Sequence, residues 1–378
     1  MSVNLLTYLN KWIKMFDYIA LDKSQKMITF YSEGKNYWPY LHGLIEAINR
    51  KSDFTIYYVT SDQGDPGLSY KNHKYKSLLI DDGYMRNWFF AYLNTFVLVT
   101  TMPDIGNYQL VKSKKTNFFI YTQHSLMSPN CSYRAGSFNN YDIIFCSGEY
   151  MINEHRKAES FYNLPEKILV EHGYTKLDKL LNDYSDHIKS YQPQSNHKKA
   201  LLAPSWNKDG IIESNLLEDI IQKVINQNYL ITLRPHPESL KTSSRKLQTI
   251  LDMFASNPSF NYEDSITSNL SLFESDLLIT DWSGISLEYA FALKKPVLYV
   301  NTPQKILNPD YENLQIQAFE SILREKIGIV WNLNDSIDDL LKDHNTETVN
   351  YEQYIFNIGK CDDVGASYII DLIKKFYN

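Results

Sequence analysis

Cysteine is scarce in this chain of 378 residues, with only Cys131, Cys146 and Cys361, none spaced with another as a redox or metal-ligand pair. That argues against a disulfide framework and points to a reducing compartment. No apolar run reaches about 18 residues, the length of a membrane span. The start lacks the basic-then-apolar order of a secretion signal, so a cytoplasmic protein is expected. Positive charge is not in excess: the net charge is −6 with 22% charged residues. This argues against nucleic acid as a partner and leaves room for a local basic cleft around a phosphorylated ligand. Also missing are the G-x-x-x-x-G-K-[ST] phosphate loop, the G-x-G-x-x-G fingerprint, the H-E-x-x-H zinc motif and the nucleophile elbow. Asp62-Gln63-Gly64-Asp65 and Asp81-Asp82 are metal candidates without supporting ligands. No tightly bound metal or cofactor is expected.

Tyrosine, at 29 residues, is the one type in clear surplus. It reads mainly as coding bias, although aromatic clefts also suit carbohydrate-like ligands. The length suits two domains of ordinary size.

Residues 276–300 are the most informative stretch. Leu277 to Thr280 reads as a buried parallel strand that ends at Asp281, and Ser283-Gly284 opens a helix carrying Ile285, Leu287, Tyr289, Ala290 and Leu293. Lys294-Lys295-Pro296 closes that helix with cations and a proline stop, and a second strand, Val297 to Val300, follows. A small hydroxyl-bearing turn at a helix N-terminus suits a nucleotide diphosphate. It is equally the cap of an ordinary core helix.

Around this unit the chain alternates between strand and helix. Strands are predicted at 28–31, 55–60, 77–80, 96–101, 118–122, 143–146 and 168–170, and helices at 37–50, 85–94 and 148–162. Residues 183–199 are polar and read as a linker. The alternation then resumes with a strand at 200–203, a helix at 214–227, a strand at 229–233, a helix at 242–255, the 276–300 unit and a closing helix near 366–377. The expected fold class is therefore α/β, two Rossmann-like parallel-sheet domains facing a central cleft. An acceptor-binding domain is assigned to 1–185, a nucleotide-donor domain to 186–365 and a C-terminal helix to 366–378. Residues 3–19 place Leu5, Leu9, Trp12, Ile13, Phe16 and Ile19 on one helical stripe, which would pack on its own domain or rest on a membrane surface.

Three loops of the second half follow strands and so share one sheet edge. They hold Ser205, then Arg234-Pro235-His236-Pro237, then the Asp281–Gly284 turn. Two prolines clamp the backbone around His236, and a cation with a rigid imidazole suits a phosphate oxygen. A structural turn is the other reading. Glu288, seven residues after Asp281, would reach ribose hydroxyls or lie on a solvated helix face. In the first half, His124 follows a strand and would serve as general base on an acceptor hydroxyl, or be structural. Ser125 beside it, with Glu33 and Lys35 after the first strand, are candidates for acceptor contact.

Together these loops resemble the CDP-glycerol glycerophosphotransferase family, which builds poly(glycerol phosphate) of teichoic acids and related capsules. The family's Pro-His-Pro loop is matched at 235–237, and its Asp-Tyr-Ser-Ser turn with a later acid by Asp281-Trp282-Ser283-Gly284 and Glu288. Its Gly-x-x-x-x-Asp element is matched by Gly173 and Asp178, and its terminal Asp-Gly-x-Ala-Ser element, altered, by Asp363-Val364-Gly365-Ala366-Ser367. The family's Trp-His-Gly-Thr loop is matched loosely by Gln123-His124-Ser125-Leu126. The resemblance implies a GT-B fold and an inverting transfer from a CDP-linked donor. It also implies catalytic roles for His124 and His236, and donor contacts from Ser205, Arg234, His236, Asp281, Ser283, Gly284 and Glu288. The partners would be that donor and a polysaccharide or lipid-linked acceptor at the inner face of the membrane. Gly284 for Ser and the altered His124 loop keep open a sugar transferase on the same scaffold, with glycerol phosphate, ribitol phosphate or a sugar as the moved group. A nucleotide-sugar 2-epimerase would need a carboxylate pair that is not evident. Histidines in both halves weigh against a non-catalytic binding module.

Overall fold

Short runs of β-branched and aromatic residues become strands, buried on both faces in the middle of a sheet and more exposed at edges such as Tyr75–Leu79 and Ile168–Glu171, as a parallel sheet under two helical layers requires. In the first half these are β1 (Ile28–Ser32), β2 (Ile56–Thr60), β3 (Tyr75–Leu79), β4 (Val97–Thr100), β5 (Phe118–Thr122), β6 (Ile143–Cys146) and β7 (Ile168–Glu171). They pair in parallel in the order β3-β2-β1-β4-β5-β6-β7. Alternation along β1 sends Ile28 and Phe30 to one face, with Leu41, Leu44 and Ile48 of the helix Trp38–Lys51 and Ile369 and Ile373 of the helix Cys361–Tyr377. Tyr31 points to the other face and joins Phe89 and Phe90 of the helix Tyr84–Tyr92 and Met15 and Tyr18 of the helix Leu5–Ala20. Much of the tyrosine surplus is core: Tyr18, Tyr31, Tyr58, Tyr121 and Tyr141 are all buried.

The second half repeats the plan with β8 (Lys199–Leu202), β9 (Leu230–Leu233), β10 (Phe260–Tyr262), β11 (Leu277–Thr280), β12 (Val297–Val300) and β13 (Gly328–Trp331). These are parallel in the order β10-β9-β8-β11-β12-β13. In each sheet the order reverses once, between β1 and β4 and between β8 and β11. Such switch points are where open α/β sheets bind ligands, beyond the strand carboxyl ends. The chain thus holds the two Rossmann-like parallel-sheet domains expected of it.

The computed structural model describes residues 5–107, 110–191, 197–264, 268–342 and 350–377. Its two units divide differently from the sequence expectation. Met1–His124, Tyr133–Lys179 and Glu352–Asn378 form the first, and Ser125–Ser132 with Leu180–Tyr351 form the second. The closing helix starts at Cys361 and belongs to the first unit, because Ala366, Ile369 and Ile373 complete that unit's core. Arg50 and Lys51 reinforce it by pairing with Asp363 at 2.7 and 3.2 Å. Residues 125–132 join the second unit through Glu320, whose carboxylate accepts from the Ser128 N–H at 2.8 Å and the Ser132 hydroxyl at 3.2 Å. The expected linker at 183–199 is helical as far as Ser190, in the helix Thr175–Ser190. Its polar run is the solvated face of a helix, which composition alone does not separate from a loop. Residues 192–196 lie outside the described residues.

The helix Ile285–Leu293 is buried from Ser286 to Leu293, a core helix with no solvated face. It ends at Lys294 in the left-handed conformation, φ 55°. Lys295 turns away and donates to the carbonyls of Phe273 and Ser275 at 2.6 and 2.7 Å, closing the neighbouring helix Leu270–Glu274.

Candidate functional site

In the second unit the loops after β9, β8, β11 and β12 follow adjacent strands, and three of them carry the residues singled out in the sequence. Asp281, fully buried at the end of β11, organises them. Its Oδ1 accepts from the Ser205 N–H at 2.7 Å and its Oδ2 from the Ile211 N–H at 3.2 Å. A carboxylate committed to two backbone donors fixes the loop after β8 against the turn after β11, so Asp281 is a positioning group. Ser205 is 5% exposed, and its hydroxyl has no hydrogen-bond partner among the described residues.

His236 caps the short helix Pro237–Thr242, its Nδ1 accepting from the Glu238 N–H at 3.1 Å. That bond fixes the neutral tautomer with the proton on Nε2, which is the form that donates to an anion. The structural and the phosphate-binding readings of this loop are thus compatible. Arg234 is buried beside it, with Nη1 3.4 Å from the Ser271 hydroxyl. Glu288 is only 3% exposed, which removes the solvated-face reading and leaves a carboxylate inside the unit.

The turn after β11 rests on a residue that the sequence did not suggest. Arg324, in the helix Phe319–Ile327, donates to the carbonyls of Asp281 at 2.9 Å and Val300 at 3.1 Å. Its guanidinium lies 4.2 Å from the ring centroids of both Trp282 and Tyr299. The Trp282 indole in turn donates to the Thr302 carbonyl at 2.8 Å. Ser283 and Gly284 open the following helix, and Gly284 is glycine for a spatial reason. A Cβ there would come within 2.7 Å of the Ser125 hydroxyl and 3.3 Å of Met127 Cγ. Ser125 therefore sits against the donor-side turn, although it follows His124 directly in sequence.

In the first unit, His124 follows β5 and is ringed by aromatic groups. Tyr37, Tyr40, Tyr121 and Tyr133 meet it edge-on at centroid separations of 5.6, 6.2, 6.4 and 5.7 Å. Its Nδ1 lies 2.9 Å from the Thr101 carbonyl. A carbonyl can only accept, so Nδ1 carries the proton and Nε2 the lone pair, 3.3 Å from the Tyr133 hydroxyl. Burial lowers the His124 pKa to about 4; the Thr101 carbonyl opposes the shift, and the nearby Lys176 adds to it. Lys176 itself donates to the Tyr40 hydroxyl at 3.2 Å. Gln123 is buried with neither amide atom bonded among the described residues. Of the loop after β1, the residue that meets His124 is Tyr37. Glu33 is half-buried and Lys35 exposed, the latter anchored by its backbone N–H to Asp62 at 2.9 Å.

The remaining motifs are structural. Asp65 collects the Ser32, Tyr58 and Thr60 hydroxyls at 3.0, 2.9 and 2.7 Å and ties the ends of β1 and β2 together. No group of three or more His, Cys, Asp or Glu among the described residues is placed to hold a metal ion. The Gly173–Asp178 and Asp363–Ser367 elements close on each other. Asp178 accepts from the Gly359 N–H at 2.7 Å and the Cys361 thiol at 3.0 Å, and a Cβ on Gly365 would lie 2.6 Å from His172 Nε2. Gly173 has φ 105°, and a Cβ there would lie 2.4 Å from the Phe356 carbonyl.

Comparison with known proteins assigns the family. The description "CDP-Glycerol:Poly(glycerophosphate) glycerophosphotransferase" matches residues 14–367. The chain belongs to this glycerophosphotransferase family. It is 24% identical over 233 residues to the minor teichoic acid biosynthesis protein GgaB of Bacillus subtilis (strain 168), a match over 50% of this chain and 25% of that protein. The chain thus spans about a quarter of the length of that curated relative. A variant of the wall teichoic acid polymerase TagF is similar in structure, with TM-score 0.59 and 16% identity over 98% of this chain and 99% of that one. UDP-GlcNAc 2-epimerase of Methanocaldococcus jannaschii follows at TM-score 0.58 and 14% identity, over 92% and 99%. At such identities these structures bear on fold, and they agree on paired Rossmann-like domains.

Proposed function

We propose that this glycerophosphotransferase-family chain acts in surface-polymer synthesis, moving glycerol phosphate or a related alditol phosphate from a CDP-linked donor to an acceptor hydroxyl. The observation that carries the reading is the family match across residues 14–367, which takes in both His124 and His236. The acceptor oxygen attacks the β-phosphorus of the donor, its proton passes to His124 Nε2, and the bond to the bridging oxygen breaks with release of CMP. Arg234 offsets charge on the phosphates while His236 Nε2–H and the Ser283 hydroxyl donate to their oxygens, the electrostatic contribution that dominates phosphoryl transfer. Glu288 holds ribose, while Asp281 and Gly284 set the shape of the turn. The tyrosines around His124, with Glu33 and Lys35 beyond them, receive a polysaccharide or lipid-linked acceptor.

The helix Leu5–Ala20 supports work at a membrane face. Leu5, Leu6, Leu9, Ile13 and Phe16 are exposed along it, between 45% and 74%. An apolar stripe of that kind suits an interfacial helix. No helix among the described residues is long and apolar enough to cross a membrane.

The test is chromatography of the nucleotide released from CDP-glycerol, CDP-ribitol and a panel of UDP-sugars in the presence of acceptor, with His124→Ala as the blank. CMP release with a phosphodiester in the product is the expected result. Release of CDP or UDP with a glycosidic product would overturn phosphoryl transfer and make the chain a sugar transferase on the same fold.

A further inference from the structure

A fourth loop at the same sheet edge, after β12, carries a lysine that neither the motifs nor the roles above use. Residues 301–307 are pinned by their backbone and by Gln304. The Leu307 N–H donates to the Cys131 carbonyl at 2.8 Å, the Cys131 thiol to the Lys305 carbonyl at 3.4 Å, and the Gln304 amide to the Ser321 hydroxyl at 3.0 Å. The Lys305 side chain takes no part in these bonds. Its ammonium rests 3.5 Å over the ring centroid of Trp206, in the loop after β8. No carboxylate lies within ion-pairing distance of it among the described residues. A half-buried ammonium held by one aromatic face is weakly compensated, since such contacts contribute about 0.5–2 kcal/mol. Burial accordingly lowers its pKa to about 8, although Asp281 and Glu238 pull it up.

A second observation points to a ligand here. The Ser205 hydroxyl, one residue before Trp206, and the Thr302 hydroxyl, three residues before Lys305, are both more than nine-tenths buried and without a hydrogen-bond partner among the described residues. Two orphan hydroxyls and a desolvated cation on two loops of one sheet edge, after β8 and β12, form the donor set that a polyanion would satisfy.

We propose that Lys305 is a further donor-binding residue, its ammonium leaving the Trp206 ring to contact the diphosphate of the nucleotide donor. This rests on the donor-site reading given above. A point charge on a flexible stem is suited to follow charge from the bound diphosphate to the departing phosphate.

The experiment is calorimetric titration of CDP and of cytidine into wild type, Lys305→Met and Lys305→Arg at pH 8, in two buffers of different ionisation enthalpy. An amine that is half deprotonated in the free protein takes up about half a proton when a phosphate engages it. Wild type should show that uptake with CDP and none with cytidine. Lys305→Met should weaken CDP binding roughly ten- to a hundred-fold, abolish the uptake and leave cytidine affinity unchanged. Lys305→Arg should keep most of the CDP affinity without proton uptake, since guanidinium stays charged. Equal CDP affinity in Lys305→Met, or a loss shared equally by cytidine, would overturn the assignment and make the lysine a packing partner of Trp206. Wild type that binds UDP in place of CDP would correct the nucleotide, and the same comparison with UDP and uridine would then decide Lys305. Wild type that binds neither diphosphate overturns the donor site together with this inference.

Discussion

His124 offers the sharpest test, because its hydrogen bonds and its burial make separate demands. The Thr101 carbonyl at 2.9 Å holds the proton on Nδ1, so the lone pair is on Nε2, facing the Tyr133 hydroxyl at 3.3 Å, as a general base that exchanges this contact for an acceptor hydroxyl requires. Desolvation by the surrounding tyrosines brings the pKa down to about 4, against an ordinary histidine value of 6.5. A base works only when unprotonated, so activity falls as pH drops through its pKa. The acid limb of kcat/KM, which reports the free enzyme, is therefore expected near pH 4 instead of 6.5. The limb of kcat should lie higher, because a bound anionic donor favours the protonated ring. His124→Ala should lose roughly 10²–10⁴-fold in turnover with little change in CDP affinity.

The same shift has a consequence for stability. An imidazole whose pKa is lowered on folding contributes stability in full above the unfolded value of 6.5, and that contribution is lost as pH falls from there toward 4. Lowering from 6.5 to about 4 corresponds to at most roughly 3–4 kcal/mol. Urea unfolding of wild type and His124→Gln between pH 7 and pH 4 would measure it, with the variant losing less stability on acidification. The base assignment fails if turnover of His124→Ala stays within a few-fold of wild type. An acid limb of kcat/KM near 6.5 would instead show that the ring is solvated.

Two further outcomes test the donor loops and the structural motifs. His236→Ala and Ser283→Ala should each weaken CDP binding about ten- to a hundred-fold, since a hydrogen bond to a charged group contributes about 1.5–3 kcal/mol; unchanged calorimetric affinity in both would remove the phosphate-site assignment. Gly365→Ala forces a methyl to within 2.6 Å of His172 Nε2 and 3.0 Å of Leu44, so urea unfolding should show a loss of about 1–3 kcal/mol with donor affinity intact. Loss of donor affinity without loss of stability would place that element in the binding machinery after all.

The parallel sheets were legible because buried strands announce themselves as short runs such as Ile143–Cys146 and Leu277–Thr280, and both lie where the pattern put them. The edge strand β10, Phe260–Tyr262, has three residues and no such run, and it went unread. Loop positions of His124, Ser205, Arg234, His236 and Asp281 followed from strand ends. What each side chain does there did not. Arg324 shows why: nothing in the sequence marks it or Glu320, and only the tertiary fold reveals that both are buried on separate tasks. Tyr37 and Tyr133 around His124 were equally hidden, since nothing in a tyrosine-rich sequence marks the few that gather at one imidazole.

Gly284 illustrates the limit of judging a site by its departures from a pattern. By sequence alone, glycine in place of the family's second serine weakens the donor turn, because a hydroxyl is lost at a helix N-terminus. In the folded chain the missing Cβ leaves room for Ser125, whose hydroxyl occupies the space at 2.7 Å from where that carbon would stand. Ser125 also accepts from the Met127 N–H at 3.2 Å, so its hydroxyl is held in place and cannot swing aside without losing a bond. Buried Glu320 clamps the same segment from its other end at Ser128 and Ser132. The space a side chain would need at the start of the helix is thus filled by a hydroxyl from a different stretch of chain. Gly284 is therefore explained by its packing against Ser125, and a pattern confined to consecutive residues cannot register that.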